Sequence, residues 1–158
     1  MKVIGAIDQG TTGTRFILFD QSGSIFDSAY QEHQQIYPKP GYVEHDPIEI
    51  WQNTKKVMKK VLDEHSDQIE EVVGLGVTNQ RETTVIWDKN TGKPLHNALV
   101  WQDTRTDDLC KELSREGYDE LFTQKTGLRI ATYFSGPKIK WLIENVPKIK
   151  NKAKNGEA

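Results

Sequence analysis

Val3-Ile-Gly-Ala-Ile-Asp-Gln-Gly-Thr-Thr-Gly-Thr-Arg-Phe-Ile-Leu-Phe19 is two apolar runs joined by a polar turn. Val3 to Ile7 reads as a buried strand and Phe16 to Phe19 as a second one. Between them lie the Asp8 carboxylate, two glycines, three threonine hydroxyls and Arg15. Glycine lets a backbone approach an anion closely, and N–H groups and hydroxyls can bond to its oxygens. An acidic residue at a strand end can hold Mg²⁺, usually through water. The chemistry is that of a phosphate loop. It is not a P-loop, because GxxxxGK[ST] is absent and the loop leads into a strand rather than a helix.

Working outward, residues 2–32 read as three strands, with Asp20-Gln-Ser-Gly23 turning the chain between the second and third. Residues 33–45 form a loop rich in Pro, Gly and Tyr. Asp46-Pro47-Ile48-Glu49 then opens a helix: Asp46 as N-cap, Pro47 at the first position, Glu49 closing a capping box. Ile50, Trp51, Thr54, Val57, Met58, Val61 and Leu62 recur at helical spacing and face a core. Val72 to Thr78 reads as a strand buried on both faces, and Thr83 to Trp87 as another, followed by an Asn90-Thr-Gly92 turn. Thr104 to Leu113 reads as a helix capped by Thr104. Ser135 opens a further helix, which Pro147 interrupts, and Lys148 to Ala158 reads as a frayed helix or a solvated tail. The order of elements predicts an α/β fold with a mixed sheet flanked by helices. It differs from a βαβ Rossmann unit, which needs a crossover helix after its first strand.

The 158 residues suffice for one domain with a sizeable core. A formal net charge of −2 points to no nucleic-acid or membrane partner. No apolar stretch reaches transmembrane length, and no basic-then-apolar leader is read at the start. The single cysteine, Cys110, excludes an internal disulfide and suits a reducing compartment. Asp107, Asp108 and Glu112 nearby would raise its pKa, so it reads as a small apolar helix residue rather than a nucleophile.

Three other motifs carry chemistry. Thr78-Asn-Gln-Arg-Glu-Thr-Thr84 sits at a strand end, where ligands of α/β sheets commonly bind. A turn there would let Arg81 and Glu82 converge on one ligand. Arginine only donates and ionised glutamate only accepts, a pairing suited to a polyol. The competing reading, a surface ion pair or solvated turn, carries about equal weight on local sequence. In Val100-Trp-Gln-Asp-Thr-Arg105, Trp101 could cover the carbon face of a small polyol. Locally, a core tryptophan at a strand end is the preferred reading, and Asp103 reads as a helix cap. In Thr132-Tyr-Phe-Ser-Gly136, Tyr133 offers a phenol hydroxyl before a helix start, or is a half-buried aromatic whose hydroxyl reaches water.

Asp8-Gln-Gly-Thr-Thr with Arg15, Gly41-Tyr-Val-Glu-His-Asp-Pro47, Asn79-Gln-Arg-Glu-Thr83, Trp101-Gln102 and Tyr133-Phe-Ser-Gly136 stand in one order along the chain. In that order they resemble the FGGY carbohydrate kinases, of the actin, hexokinase and Hsp70 ATPase superfamily, and within them the glycerol kinases. The resemblance covers essentially the whole chain and implies an RNase H-like domain, incomplete here, over residues 1–158. It implies ATP-dependent phosphorylation of glycerol to glycerol 3-phosphate in a parent protein, with Mg²⁺ as cofactor. Thr11, Thr12, Gly13 and Arg15 would contact the nucleotide phosphates, Thr11 lying nearest the transferred group and so beside the substrate, and Asp8 would sit by the metal. Arg81, Glu82 and Tyr133 would hydrogen-bond glycerol, with Trp101 against its carbons. A cytoplasmic homo-oligomer, with ATP, ADP and glycerol as partners, is also implied.

Two departures qualify the resemblance. Gly13 stands where many members carry serine, and the loss of a hydroxyl predicts weaker phosphate binding. The family has two large domains, and the aspartate it uses as base has no counterpart here, so no catalytic residue is assigned. The chain alone is expected to be inactive. Another FGGY sugar kinase, or a non-catalytic ligand-binding or assembly fragment, are the alternatives.

Overall fold

The computed structural model describes residues 1–158. In chain order the elements are β1 (Lys2–Gln9), β2 (Gly13–Phe19), β3 (Ile25–Glu32), β4 (Glu44–His45), α1 (Pro47–Glu64), β5 (Glu71–Thr78), β6 (Ala98–Leu99), α2 (Asp107–Arg115), α3 (Asp119–Thr126), α4 (Ser135–Asn145) and α5 (Pro147–Lys154). They form two compact units. The first is Met1–Gln35 with Asp46–Gln80, the second Ile36–His45 with Arg81–Ala158. No helix is long and apolar enough to cross a membrane.

In the first unit the sheet order is β3-β2-β1-β5. β1–β2 and β2–β3 are antiparallel and β1–β5 is parallel, so the sheet is mixed, as the sequence predicts. The turn at Asp20 forms as read: the Asp20 carboxylate accepts from the Ser22 and Ser24 amides, and Gly23 takes φ +81°. Val3 and Ile7 of β1, Phe16 and Leu18 of β2, Ala29 of β3 and Val57 and Val61 of α1 form the core. Each of these side chains other than Ala29 contributes about 1.5–3 kcal/mol on burial.

α1 begins as predicted, with Asp46 Oδ1 accepting from the Ile48 amide at 2.8 Å and Pro47 opening the helix. Glu49 does not close a capping box. Its carboxylate instead accepts from the Gln34 amide at 3.0 and 3.2 Å. Trp51 is not a core residue: it is 57% exposed, with the Lys55 ammonium 5.2 Å from its ring. The expectation that Val72–Thr78 is buried on both faces is also overturned. β5 lies at the sheet edge while α1 packs on β2 and β3, leaving Val73 and Leu75 half exposed and Val77 66% exposed.

In the second unit β4 and β6 pair antiparallel, Glu44 opposite Leu99 and His45 opposite Ala98. The strand expected at Thr83–Trp87 reduces to two isolated bridges, Thr84 to Leu99 and Trp87 to Pro94. The turn at Asn90–Gly92 is present, with Gly92 at φ +68°. α2 starts later than predicted, because the Thr104 hydroxyl donates to the Gly41 carbonyl instead of capping a helix. α3 went unread in the sequence; Gly127, at φ +73°, ends it. Pro147 does interrupt α4 at Val146, yet the chain resumes as α5. Lys152 of α5 pairs with Asp88 at 2.7 Å and Glu157 at 3.0 Å, so this end is an ordered helix rather than a tail. Leu95, Leu99, Leu142 and Ile149 form the core of this unit.

Candidate functional site

The first unit holds the anion-binding chemistry. β1 ends at Gln9 and β2 begins at Gly13, so the turn is only Gly10 to Thr12. Asp8 pairs with Arg15 across β1–β2 and with Thr78 across β1–β5. Each loop carbonyl is held by a protein donor: Gly10 O by Gln80 Nε2 at 2.9 Å, Thr11 O by Gln35 Nε2 at 3.2 Å, and Thr12 O by the His33 amide at 2.9 Å. In a trans peptide the N–H points opposite its C=O. Fixing the carbonyls therefore aims the Thr11, Thr12 and Gly13 N–H groups away from those donors, as an anion cradle requires.

A polar relay clamps the loop's two ends. Gln9 Nε2 donates to Thr54 Oγ1 at 2.5 Å, and Thr14 Oγ1 donates to Gln9 Oε1 at 2.9 Å. Thr14 Oγ1 lies 3.2 Å from His33 Nε2, and His33 Nδ1 lies 3.2 Å from Asn53 Nδ2. Since Thr14 spends its proton on Gln9 and Asn53 Nδ2 can only donate, the pattern assigns a neutral His33 with its proton on Nε2. Burial pushes the His33 pKa down, against the opposing Glu49 charge. Thr54 faces the interior as its helical spacing predicts, but its polar contact was not foreseen and His33 was not singled out; nothing in their local pattern marks a contact between loop, strand and helix.

Gly13 has a structural reason to be glycine. A Cβ there would lie 2.5 Å from the Gln31 carbonyl oxygen and 2.6 Å from the Tyr30 ring. The Arg15 guanidinium lies over that same ring, 5.5 Å from its centroid.

The second unit carries the polyol-type residues and brings Trp101 and Tyr133 into contact. Arg81 and Glu82 lie in a turn, and Glu82 is the one non-glycine residue with positive φ, at +62°. Such backbone is strained in a residue with a side chain and collects at functional sites. Glu82 Oε2 accepts from the Ser135 amide at 3.1 Å and the Ser135 hydroxyl at 3.0 Å, which ties it to the start of α4. Trp101 and Tyr133 meet edge to face with centroids 5.7 Å apart. Tyr133 also packs edge-on against Phe134 at 5.2 Å. An apolar cleft of about 590 Å³ is lined by Leu109, Leu113, Phe122, Leu128 and Phe134, with Glu82 also in its lining. Arg81, Trp101 and Tyr133 do not line it.

Asp103 and Arg105, which follow Trp101 in the chain, form a buried charged frame. Asp103 does not act as a simple helix cap. Its Oδ2 accepts from the Val43 amide at 2.7 Å, and its carboxylate receives Arg105 Nε and Nη2 at 2.8–3.0 Å. Arg105 Nη2 also reaches Glu44 Oε1 at 2.7 Å, and the guanidinium stacks on Tyr42 at 4.0 Å and Trp141 at 4.6 Å. Gly41, at φ +81°, is required in this frame, since a Cβ would come within 2.6 Å of Thr104 Oγ1. The sequence quoted Arg105 without assigning it a role, because Glu44, which it bridges to the neighbouring Asp103, lies sixty-one positions away.

Cys110 is buried, and burial pushes its thiol pKa up, with Asp107 adding to the rise, so its reading as a structural residue holds. No group of three or more His, Cys, Asp or Glu side chains gathers to hold a metal. Asp8 offers a single carboxylate, which suits an ion such as Mg²⁺ that keeps waters and takes further oxygens from phosphates.

The sequence profile of the FGGY family of carbohydrate kinases, N-terminal domain, matches residues 3–156. The chain is 53% identical over 156 residues to a glycerol kinase of Roseiflexus sp. (strain RS-1), covering 99% of this chain and 31% of that protein. It is 50% identical over 157 residues to glycerol kinase 2 of Thermotoga maritima, covering 99% and 32%. Among solved structures, the Plasmodium falciparum glycerol kinase with ADP superposes with TM-score 0.94 at 44% identity, covering 99% of this chain and 31% of that one. A xylulose kinase from Rhodospirillum rubrum follows the same fold with TM-score 0.87 at 25% identity, covering 94% and 30%. The chain thus spans about a third of the length of the relatives it matches.

Proposed function

The chain belongs to the FGGY family of carbohydrate kinases, and from that membership we propose that it supplies the phosphate loop and the polyol-binding residues of an ATP-dependent glycerol kinase. The γ-phosphoryl group of ATP passes to a terminal hydroxyl of glycerol. The bond from Pγ to the bridging oxygen of ADP breaks, a bond from Pγ to the glycerol oxygen forms, and the hydroxyl proton leaves to a base. No residue of this chain is assigned that base. The products are ADP and glycerol 3-phosphate.

Thr11, Thr12, Gly13 and Arg15 bind the phosphates, with Thr11 at the transferred group. Asp8 would help hold Mg²⁺, which would supply charge neutralisation at the phosphate oxygens. Arg81 donates to glycerol hydroxyls, Glu82 accepts from them, Tyr133 does either, and Trp101 covers the carbon face. Phosphoryl transfer asks a protein mainly for positioning and charge stabilisation, and the held loop carbonyls and the tied Glu82 are positioning devices of that kind. The full-length protein acts in the cytoplasm as a homo-oligomer; one buried cysteine suits a reducing compartment.

The observation that carries this reading is the contrast in similarity: the chain stands far nearer to the glycerol kinases than to the xylulose kinases of the same fold. Substituting Glu82→Gln or Arg81→Ala in the full-length protein tests it. Hydrogen bonds to charged groups contribute about 1.5–3 kcal/mol, so the KM for glycerol should rise by about 10- to 100-fold, with the KM for ATP little changed. An unchanged KM for glycerol in both variants would remove these residues from the substrate site.

A further inference from the structure

Lys138, in the first turn of α4, is fully buried, with 0% of its surface exposed. This is an expensive place for an ammonium. Burial disfavours the charged form, and the N-terminal end of a helix repels cations. The compensation is specific: Nζ donates to Thr132 O at 2.9 Å, Tyr133 O at 2.6 Å and Phe134 O at 3.3 Å. An ammonium has three protons, and three successive carbonyls take them.

Those carbonyls belong to the peptide planes on either side of the Tyr133 α-carbon and to the plane after them. With both flanking planes fixed, φ and ψ of Tyr133 are fixed, and only its side-chain torsions are left to vary. The Trp101 and Phe134 rings then limit those torsions by edge-to-face packing. The next residue, Ser135, gives its amide and hydroxyl to Glu82. Lys138 therefore holds the short segment that carries one proposed glycerol ligand and anchors another.

Resting on the glycerol-kinase reading, we infer that Lys138 is a positioning residue for glycerol, acting through the placement of the Tyr133 hydroxyl without touching substrate. A helix whose only need was stability would be better served here by an apolar side chain. The lysine is explained by the three carbonyls it gathers.

The test is a double-mutant cycle in the full-length protein. Lys138→Met keeps the length of the side chain and removes its donors; Tyr133→Phe removes the hydroxyl. Lys138→Met alone should raise the KM for glycerol about tenfold, with the KM for ATP within about twofold. In the Tyr133→Phe background it should add less than about twofold, since the group it positions is gone. Lys138→Arg, which keeps the donors, should recover part of the loss. Should Lys138→Met fail to fold, Lys138→Gln, with two donors, takes its place under the same criteria. An unchanged KM for glycerol in the Lys138 variant, an equal increase with and without the Tyr133 hydroxyl, or a parallel rise for ATP overturns the inference while leaving the function intact. If Tyr133→Phe itself leaves glycerol binding unchanged, the assignment of Tyr133 to the substrate site fails, and this inference with it.

Discussion

Trp101 and Tyr133 stand edge to face, their ring planes at 64° and their centroids 5.7 Å apart. Such a pair is worth about 0.5–1.5 kcal/mol beyond burial and fixes both rings. Trp101→Ala removes the apolar wall and the support for Tyr133 together. The KM for glycerol should rise by about tenfold or more in the full-length protein, with Trp101→Phe intermediate. Steady-state kinetics at saturating ATP checks this. Equal glycerol KM values for all three proteins would return Trp101 to a purely structural role.

Arg105 is 1% exposed and shared between Asp103 and Glu44, while its flat faces lie on Tyr42 and Trp141. Arg105→Met leaves two buried carboxylates without their cation. Breaking a buried pair from one side costs about 3–5 kcal/mol, which urea unfolding would register as a lower midpoint. Arg105→Lys should recover little of it, because a lysine offers neither the two-pronged fork nor the stacking plane. A loss below about 1 kcal/mol for Arg105→Met would mean that water reaches the cluster.

Gly13→Ser should not strengthen phosphate binding, contrary to what the comparison of hydroxyl counts suggests. The added Cβ would sit 2.5 Å from the Gln31 carbonyl oxygen, which is backbone in β3 and has little room to yield. Overpacking of this kind costs about 1–3 kcal/mol, and the thermal midpoint should fall without a gain in ATP affinity. Tighter nucleotide binding at unchanged stability would show that β2 and β3 separate more easily than their pairing implies.

His33 gives the fold a pH dependence whose sign is fixed. Its folded-state pKa is lowered by burial, so the unfolded chain binds a proton more readily than the folded one. Stability from this site is present above the ordinary histidine value of about 6.5 and declines as pH falls below it. Urea midpoints between pH 7.5 and 5 should fall for the wild type and fall less for His33→Gln, which keeps a donor towards Thr14. Parallel slopes for the two proteins would show that His33 takes up its proton as readily in the folded chain as in the unfolded one.

The parts of the fold written in local pattern were readable. Alternating apolar runs around short turns gave β1 to β3, and Asp46-Pro47 gave the start of α1, because each signal lies within a few residues of its effect. Long-range pairing was not readable. β5 looks buried by composition but lies at a sheet edge that α1 does not cover, and Thr83–Trp87 looks like a strand but finds only single bridges. α3 carries no buried side chain and so no clear apolar face. Among the candidate site residues, Asp8, Arg81 and Glu82 were visible from residue chemistry beside a strand end. Lys138, His33 and Arg105 were not: Lys138 turns back onto carbonyls four to six positions earlier, Arg105 reaches Glu44 sixty-one positions away, and His33 meets a helix residue twenty positions on, none of which a local polar pattern shows.

The choice of acceptor is decided by transfer of labelled γ-phosphate from ATP by the full-length protein, with glycerol and xylulose as competing acceptors. Label should appear in glycerol 3-phosphate, with kcat/KM for glycerol at least about a hundredfold above that for xylulose. Preferential labelling of xylulose, or hydrolysis of ATP with label in neither acceptor, would contradict it.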